Sequence, residues 1–162
     1  MTIRQATESD LSAIAAIYGH EARSGIATFD TEPRSIDRWR EHLESTEPGD
    51  HLLVATDDEA VVGYAHSAAY RPKPCYAGTR EMSIYLTPEA QGQGLGRRMY
   101  DDLLGCLVAD GIRTVVAAVA LPNPGSLALH RACGFAEVGV MHQVGRKFDR
   151  WIDVLWMQKQ LT

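Results

Sequence analysis

Apolar residues recur along the chain at two spacings, and the alternation between them predicts the order of elements. Thr2 to Ala6 reads as a short strand. Leu11, Ile14, Ala15 and Tyr18 then fall at i, i+3, i+4 and i+7 behind Ser9 and Asp10, which predicts a capped helix ending before Gly25. A second helical pattern, Ile36, Trp39 and Leu43, opens after Pro33 and Ser35 and stops at Pro48 and Gly49. His51 to Thr56 and Ala60 to Tyr70 flank the acidic turn Asp57, Asp58, Glu59 and predict a hairpin. Beyond the proline-broken loop Arg71 to Gly78, Thr79 to Leu86 alternates as a strand, whereas Leu95, Met99, Leu103, Cys106 and Leu107 return to helical spacing. Thr114 to Ala120 predicts a buried strand, and Asn123 with Pro124 behind it caps a short helix ending at Gly134. Ala136 to Val144 and Trp151 to Lys159 close the chain as strands.

The helix and strand alternation, without an internal repeat, linker or charge block, argues a mixed α/β layer fold. A length of 162 residues fits a single domain spanning 1–162. Apolar residues at 45% and charged residues at 23% exclude collagenous, low-complexity and disordered classes. A net charge of -5 gives no support to a nucleic-acid or anionic-membrane partner, so any anion site must be local. The longest uncharged stretch, Thr114 to Leu129, is broken by Pro122 and Pro124 and predicts no membrane span. Arg4, Glu8 and Asp10 near the start argue against a signal peptide, and a cytoplasmic location is expected. Cys75, Cys106 and Cys133 form no C-x-x-C motif and the histidines no H-x-H or H-E-x-x-H pair, so no metal site is expected.

The strongest chemical signal is Gln91-Gly92-Gln93-Gly94-Leu95-Gly96, set between a strand and a helix. Glycines let successive backbone N–H groups point inward, and a helix N-terminus behind them adds roughly half a positive charge. That combination can cradle a pyrophosphate, with Arg97 and Arg98 as a cationic rim. A Gly-Lys-Ser/Thr ending is lacking, and Gly92, Gly94 and Gly96 do not give G-x-G-x-x-G, which disfavours P-loop and dinucleotide readings. A plain tight connection is the bland alternative.

With its flanks this region resembles the GNAT superfamily of N-acetyltransferases, whose Gln/Arg-x-x-Gly-x-Gly/Ala signature is filled by Gln91, Gly94 and Gly96. It is similar in particular to the phosphinothricin acetyltransferase-like branch, in Thr79, Glu81, Ser83, Tyr85 and Pro88, in Asn123, Ser126, Leu129, His130, Gly134 and Phe135, and in Gly145, Lys147, Phe148, Trp151 and Asp153. The matches run from Ile3 to Gln158. The resemblance implies a mixed, mostly antiparallel central sheet of about seven strands flanked by helices, with the central strands splayed around acetyl-CoA. It implies direct transfer of the acetyl group to the amine of a small amino-acid-like acceptor, in a homodimer.

Residue by residue, the resemblance implies that backbone groups of Ile84, Tyr85 and Leu86 meet the pantetheine arm. The loop Gly92, Gln93, Gly94, Leu95, Gly96 and Arg97 would hold the pyrophosphate, and Asn123 would contact acetyl-CoA besides capping its helix. Glu81 matches the family's base, its bland alternative being a surface carboxylate paired with Arg80 or Arg113. His130 is the candidate acid for the departing thiolate, or else a structural helix histidine. Phe29 and the loop Pro74, Cys75, Tyr76 align with acceptor-contacting positions. There the chain departs from the family: Ala77 stands where an arginine is common, Arg80 where a valine is common, and Lys73 where arginine is frequent. A peptide N-terminus or an antibiotic amine as acceptor, and a non-catalytic acyl-CoA sensor, are the rival readings. Trp39, Trp151 and Trp156 are expected in the core or a dimer contact, and Cys106 and Cys133 as small hydrophobes.

Overall fold

The computed structural model describes residues 1–161. Strand β1 (Thr2–Gln5) leads through a 3-10 turn at Glu8–Asp10 into helix α1 (Leu11–Ser24). The turn is held by Asp10, whose carboxylate accepts from the Thr7 N–H at 2.8 Å and from Arg4 at 2.7 and 2.9 Å. Ser35 caps α2 (Ile36–Leu43) by accepting from the Arg38 N–H. The hairpin β2 (His51–Asp57) and β3 (Ala60–Ala69) turns on Asp58 and Glu59, both at positive φ. That left-handed pair matches the twist of the two strands. Then follow β4 (Thr79–Leu86), α3 (Leu95–Ala109), β5 (Thr114–Ala120), α4 (Pro124–Ala132), β6 (Ala136–Lys147) and β7 (Arg150–Gln160).

The last hairpin is longer than the sequence pattern predicts. β6 runs on through Lys147 and β7 starts at Arg150, because Phe148 and Asp149 form a second two-residue turn at φ 52 and 56°. Neither residue is a glycine or asparagine, the usual signal for such a turn.

The strands form one sheet in the order β1-β2-β3-β4-β5-β7-β6, antiparallel except where β4 meets β5. Alternate side chains of β2 and β3 enter two cores on opposite faces. Leu53, Ala55 and Ala65 join Met82 and the α3 residues Leu95, Met99, Leu103 and Leu107. Leu52, Val54 and Tyr64 join Leu11, Ile14 and Tyr18 of α1 and Trp39 of α2. Cys133 sits in the first core and Trp39 in the second, as expected; Trp151 is 62% exposed, outside the core, which leaves the dimer contact as its expected place.

The site depends on how β4 and β5 part. They pair only from Thr79 with Thr114 to Glu81 with Val116. Past that point β4 stays paired with β3 as far as Leu86, and β5 with β7 as far as Ala120. Each strand thus keeps one neighbour while the inner edges diverge, leaving backbone N–H and C=O groups there without strand partners. Such groups need hydrogen-bonding partners when covered.

Candidate active site

The glycine loop lies beyond the open end of β4, after a 3-10 turn at Pro88–Ala90. Gly92 and Gly94 have φ of +73 and +75°, and a Cβ on either would meet nothing within 4 Å. Their requirement is the left-handed backbone, and the space in front of them is open. Gly94 is the N-cap of α3, so the amides of Leu95, Gly96 and Arg97 lack intrahelical acceptors and face the loop's mouth. Gly96 serves differently: its Cβ would stand 3.3 Å from Leu129 Cδ2, so it lets α4 press against α3. Side-chain amides brace the loop, Gln91 donating to the Leu86 carbonyl at 3.2 Å and Gln93 to the Glu89 carbonyl at 2.6 Å. The cradle and the unpaired edges of Ile84, Tyr85 and Leu86 are contiguous in the chain. Together they fit an elongated ligand that carries peptide-like amides and ends in a pyrophosphate.

Asn123 accepts from the Ser126 N–H at 3.1 Å, which fulfils its capping role. His130, expected as the acid, is 3% exposed with both ring nitrogens engaged. Nδ1 lies 2.7 Å from the Ser126 carbonyl and therefore carries the proton, leaving Nε2 to accept from the Tyr100 hydroxyl at 3.1 Å. Burial pushes its pKa below the ordinary histidine value, which keeps the ring neutral. The folded structure thus leaves the ring without a free N–H.

Glu81, Ser83 and Tyr85 point to the α1 side of β4 and line a cavity of about 330 Å³ together with Phe29, Arg34 and His66. Glu81 has no ion-pair or hydrogen-bond partner among the described residues. Burial raises its pKa, opposed by the positive charge of Arg71. A carboxylate in that condition is a better proton acceptor than an exposed one. It does not pair with Arg80, because neighbours on a strand face opposite ways. Arg80 lies on the other face, donating to the Pro48 carbonyl at 3.1 Å and 3.6 Å from Asp50. The structure does not bring Pro74, Cys75 and Tyr76 into this cavity. They form an exposed 3-10 turn, with Tyr76 edge-on to Tyr70 at 5.5 Å.

The sequence reading gave no site role to Tyr18, Arg34 or His66, which also line the cavity. Tyr18 carried only a core signal in its helical spacing, Arg34 lies in a loop without a motif, and His66 sat unremarked in a strand. The Tyr18 hydroxyl lies 2.7 Å from Thr28 Oγ1 and donates to Asp30 at 2.5 Å. Burial, chiefly, pushes its pKa up to about 12.

A strand that parts from its neighbour, a glycine cradle at a helix N-terminus and a half-buried carboxylate beside the gap define an acyl-CoA-dependent acyltransferase scaffold. The chain belongs to the GNAT acetyltransferase family: the Acetyltransferase (GNAT) domain model matches residues 3–156. It is 40% identical to a phosphinothricin N-acetyltransferase of Streptomyces coelicolor over 98% of this chain and 95% of that one. It is 35% identical to an L-methionine sulfoximine/L-methionine sulfone acetyltransferase of Pseudomonas aeruginosa, over 99% and 94% respectively. The crystal structure of a phosphinothricin acetyltransferase from Sinorhizobium meliloti in complex with AcCoA superposes with a TM-score of 0.94 at 38% identity, covering 99% of this chain and 88% of that one. The protein is an acetyl-CoA-dependent N-acetyltransferase.

Proposed function

We propose that the acceptor is a free amino acid or close analogue of the phosphinothricin, methionine sulfoximine or methionine sulfone type, acetylated on its amine in a ternary complex. The observation that carries this reading is the placement of Glu81 on the wall of a small cavity beside the β4–β5 opening. Acetyl-CoA supplies the thioester. Glu81 takes a proton from the acceptor's ammonium, which frees the nitrogen lone pair for the carbonyl carbon. A C–N bond forms and the C–S bond breaks, and one of the two protons left on nitrogen passes to the departing sulfur, the other staying as the amide N–H. That balance needs no separate acid, so we assign His130 to holding α4 against Tyr100 rather than to proton transfer. The amides of Gly92 to Arg97 and the inner edge of β4 hold the cofactor, with Asn123 at the mouth of α4. Alignment of amine and thioester supplies the rest of the acceleration.

We also propose a homodimer, formed through the terminal hairpin. Edge strand β6, its turn and the start of β7 expose Val138, Val140, Met141, Val144, Phe148 and Trp151, an apolar concentration at a sheet edge. We place the protein in the cytosol, in keeping with three unpaired cysteines. No helix among the described residues is long and apolar enough to cross a membrane.

The test is thiol release from acetyl-CoA with phosphinothricin, methionine sulfoximine, methionine sulfone, ordinary amino acids and short peptides as acceptors. Turnover of the free amino acids and analogues supports the reading. Turnover of peptides alone overturns it in favour of an N-terminal acetyltransferase, and silence with intact acetyl-CoA binding in favour of a sensor.

A further inference from the structure

Among the described residues lining the Glu81 cavity, Arg34 is the one cation. It is a fixed group. Its guanidinium carbon lies 4.6 Å from the centre of the Tyr18 ring and 5.6 Å from that of Trp39, and its Nε donates to Asp30 Oδ2 at 3.0 Å. Asp30 is itself anchored by Tyr18, and the carbonyl of Thr28 by buried Lys147 at 2.8 Å. Among the described residues Arg34 Nη1 and Nη2 donate no hydrogen bond, Nε alone being engaged. His66 lines the same wall, its Nδ1 closed off from solvent and without a hydrogen-bond partner among the described residues. A fixed guanidinium on a cavity wall, with N–H groups that no protein acceptor takes up, calls for a ligand that carries oxygens.

The position of Arg34 says which oxygens. Arg34 stacks on Tyr18, and Tyr18 packs edge-on against Tyr85 at 5.4 Å. His66 is paired with Ser83. Tyr85 lies four residues beyond Glu81 on β4, roughly 13 Å along a strand. Arg34 therefore serves the end of the cavity remote from the base and from the reacting amine. The other cations are placed elsewhere: Arg80 is on the opposite face, and Arg71 stacks on Tyr70 at the Glu81 end.

We propose that Arg34 is a specificity-determining residue whose terminal N–H groups receive an oxygen on the acceptor's side chain, a phosphinyl, carboxyl or sulfonyl oxygen, distant from its amine. The inference rests on the amino-acid acceptor reading. It gives this chain a cation for its acceptor from the α1–α2 loop, independent of Ala77.

The experiment compares kcat and KM for phosphinothricin, methionine sulfone and methionine in wild type, Arg34→Gln and Arg34→Lys, with thermal melts to confirm folding. Methionine shares the amine and the carboxylate beside it but lacks the remote oxygens. The Arg34→Gln enzyme should raise KM for the two oxygenated acceptors more than for methionine by roughly tenfold or more, the worth of one charge-assisted hydrogen bond. Arg34→Lys should recover part of the discrimination. Equal losses for all three acceptors, or a loss confined to kcat, overturn the assignment. If wild type acetylates none of them, the amino-acid acceptor reading fails on its own. Calorimetric binding of phosphinothricin then decides the Arg34 assignment: binding lost in Arg34→Gln supports it, whereas no binding or equal binding overturns it.

Discussion

Gly145 on β6 and Phe29 in the α1–α2 loop approach so closely that a Cβ on Gly145 would stand 2.1 Å from Phe29 Cε2. The aromatic ring on the wall of the Glu81 cavity thus lies directly on the backbone of the terminal hairpin. Two residues further, Lys147 donates to the Thr28 carbonyl and ties the same loop to the same strand. The motif Gly145-x-Lys147 is in this way a seat for the α1–α2 loop, which carries the proposed acceptor contacts.

Gly145→Ala should therefore act at a distance from the chemistry. Phe29 must swing away, and overpacking of this kind costs about 1–3 kcal/mol. The loop should bear that cost, with KM for the acceptor rising roughly fivefold or more. Steady-state kinetics beside calorimetry with acetyl-CoA checks it: an unchanged acceptor KM, or a matching loss of acetyl-CoA affinity, contradicts the seat.

The glycines of the cradle should separate into two behaviours. Gly94→Ala places a Cβ in open space but at a φ of +75°, a strain of roughly 1–2 kcal/mol that the loop can relieve only by moving its amides. Its signature is weaker acetyl-CoA binding with little change in melting temperature. Gly96→Val crowds Leu129 between α3 and α4, and its signature is a lowered melting temperature. Calorimetry and circular dichroism on the two variants would show the effects exchanged if the roles were reversed.

Asp10 offers a test of the frame. Its side chain is buried, and the Arg4 hydrogen bonds, with those from Thr7, hold its pKa down to about 2. A depressed carboxylate pKa means stability that is present above the ordinary value of 3.8 and lost as pH falls through about 2. With Arg4 partly exposed, the contribution at neutral pH is about 1–2 kcal/mol. Urea unfolding of wild type and Asp10→Asn should differ by that amount at pH 7, and the gap should close toward pH 2. A gap constant with pH would point to packing instead of charge.

The order of elements was legible because each is long enough for its period to show. The cradle was legible because its glycines fall where a strand hands over to a helix. What stayed hidden depends on contacts between distant segments. Arg34, His66 and Tyr18 come from a loop, a strand and a helix, and only the folded sheet brings them around Glu81. The His130 bond to Ser126 spans one helical turn and was within reach of sequence reasoning, but its second partner, Tyr100, belongs to another helix. Strand alternation alone sets Arg80 against Glu81 on opposite faces, so the pairing considered between them was excluded by geometry.

Glu81 as the proposed base gives the sharpest prediction, because its two consequences run in opposite directions. Burial raises the pKa of Glu81, so the fold favours its protonated form. Its contribution to stability is therefore greatest below the ordinary carboxylate pKa and is lost as pH rises through the raised value. Glu81→Gln, which cannot ionise, should melt no lower than wild type at neutral pH. Catalysis follows the opposite sign, since only the carboxylate can accept the ammonium proton. Wild-type kcat/KM should climb through the raised pKa, and Glu81→Gln should lack that limb and run about 10²- to 10⁴-fold slower near neutrality. Its deficit should shrink as pH approaches the pKa of the acceptor amine, where the free base no longer needs help. A deficit of the same size at every pH would make Glu81 a positioning group, and a large fall in melting temperature would make it a structural one.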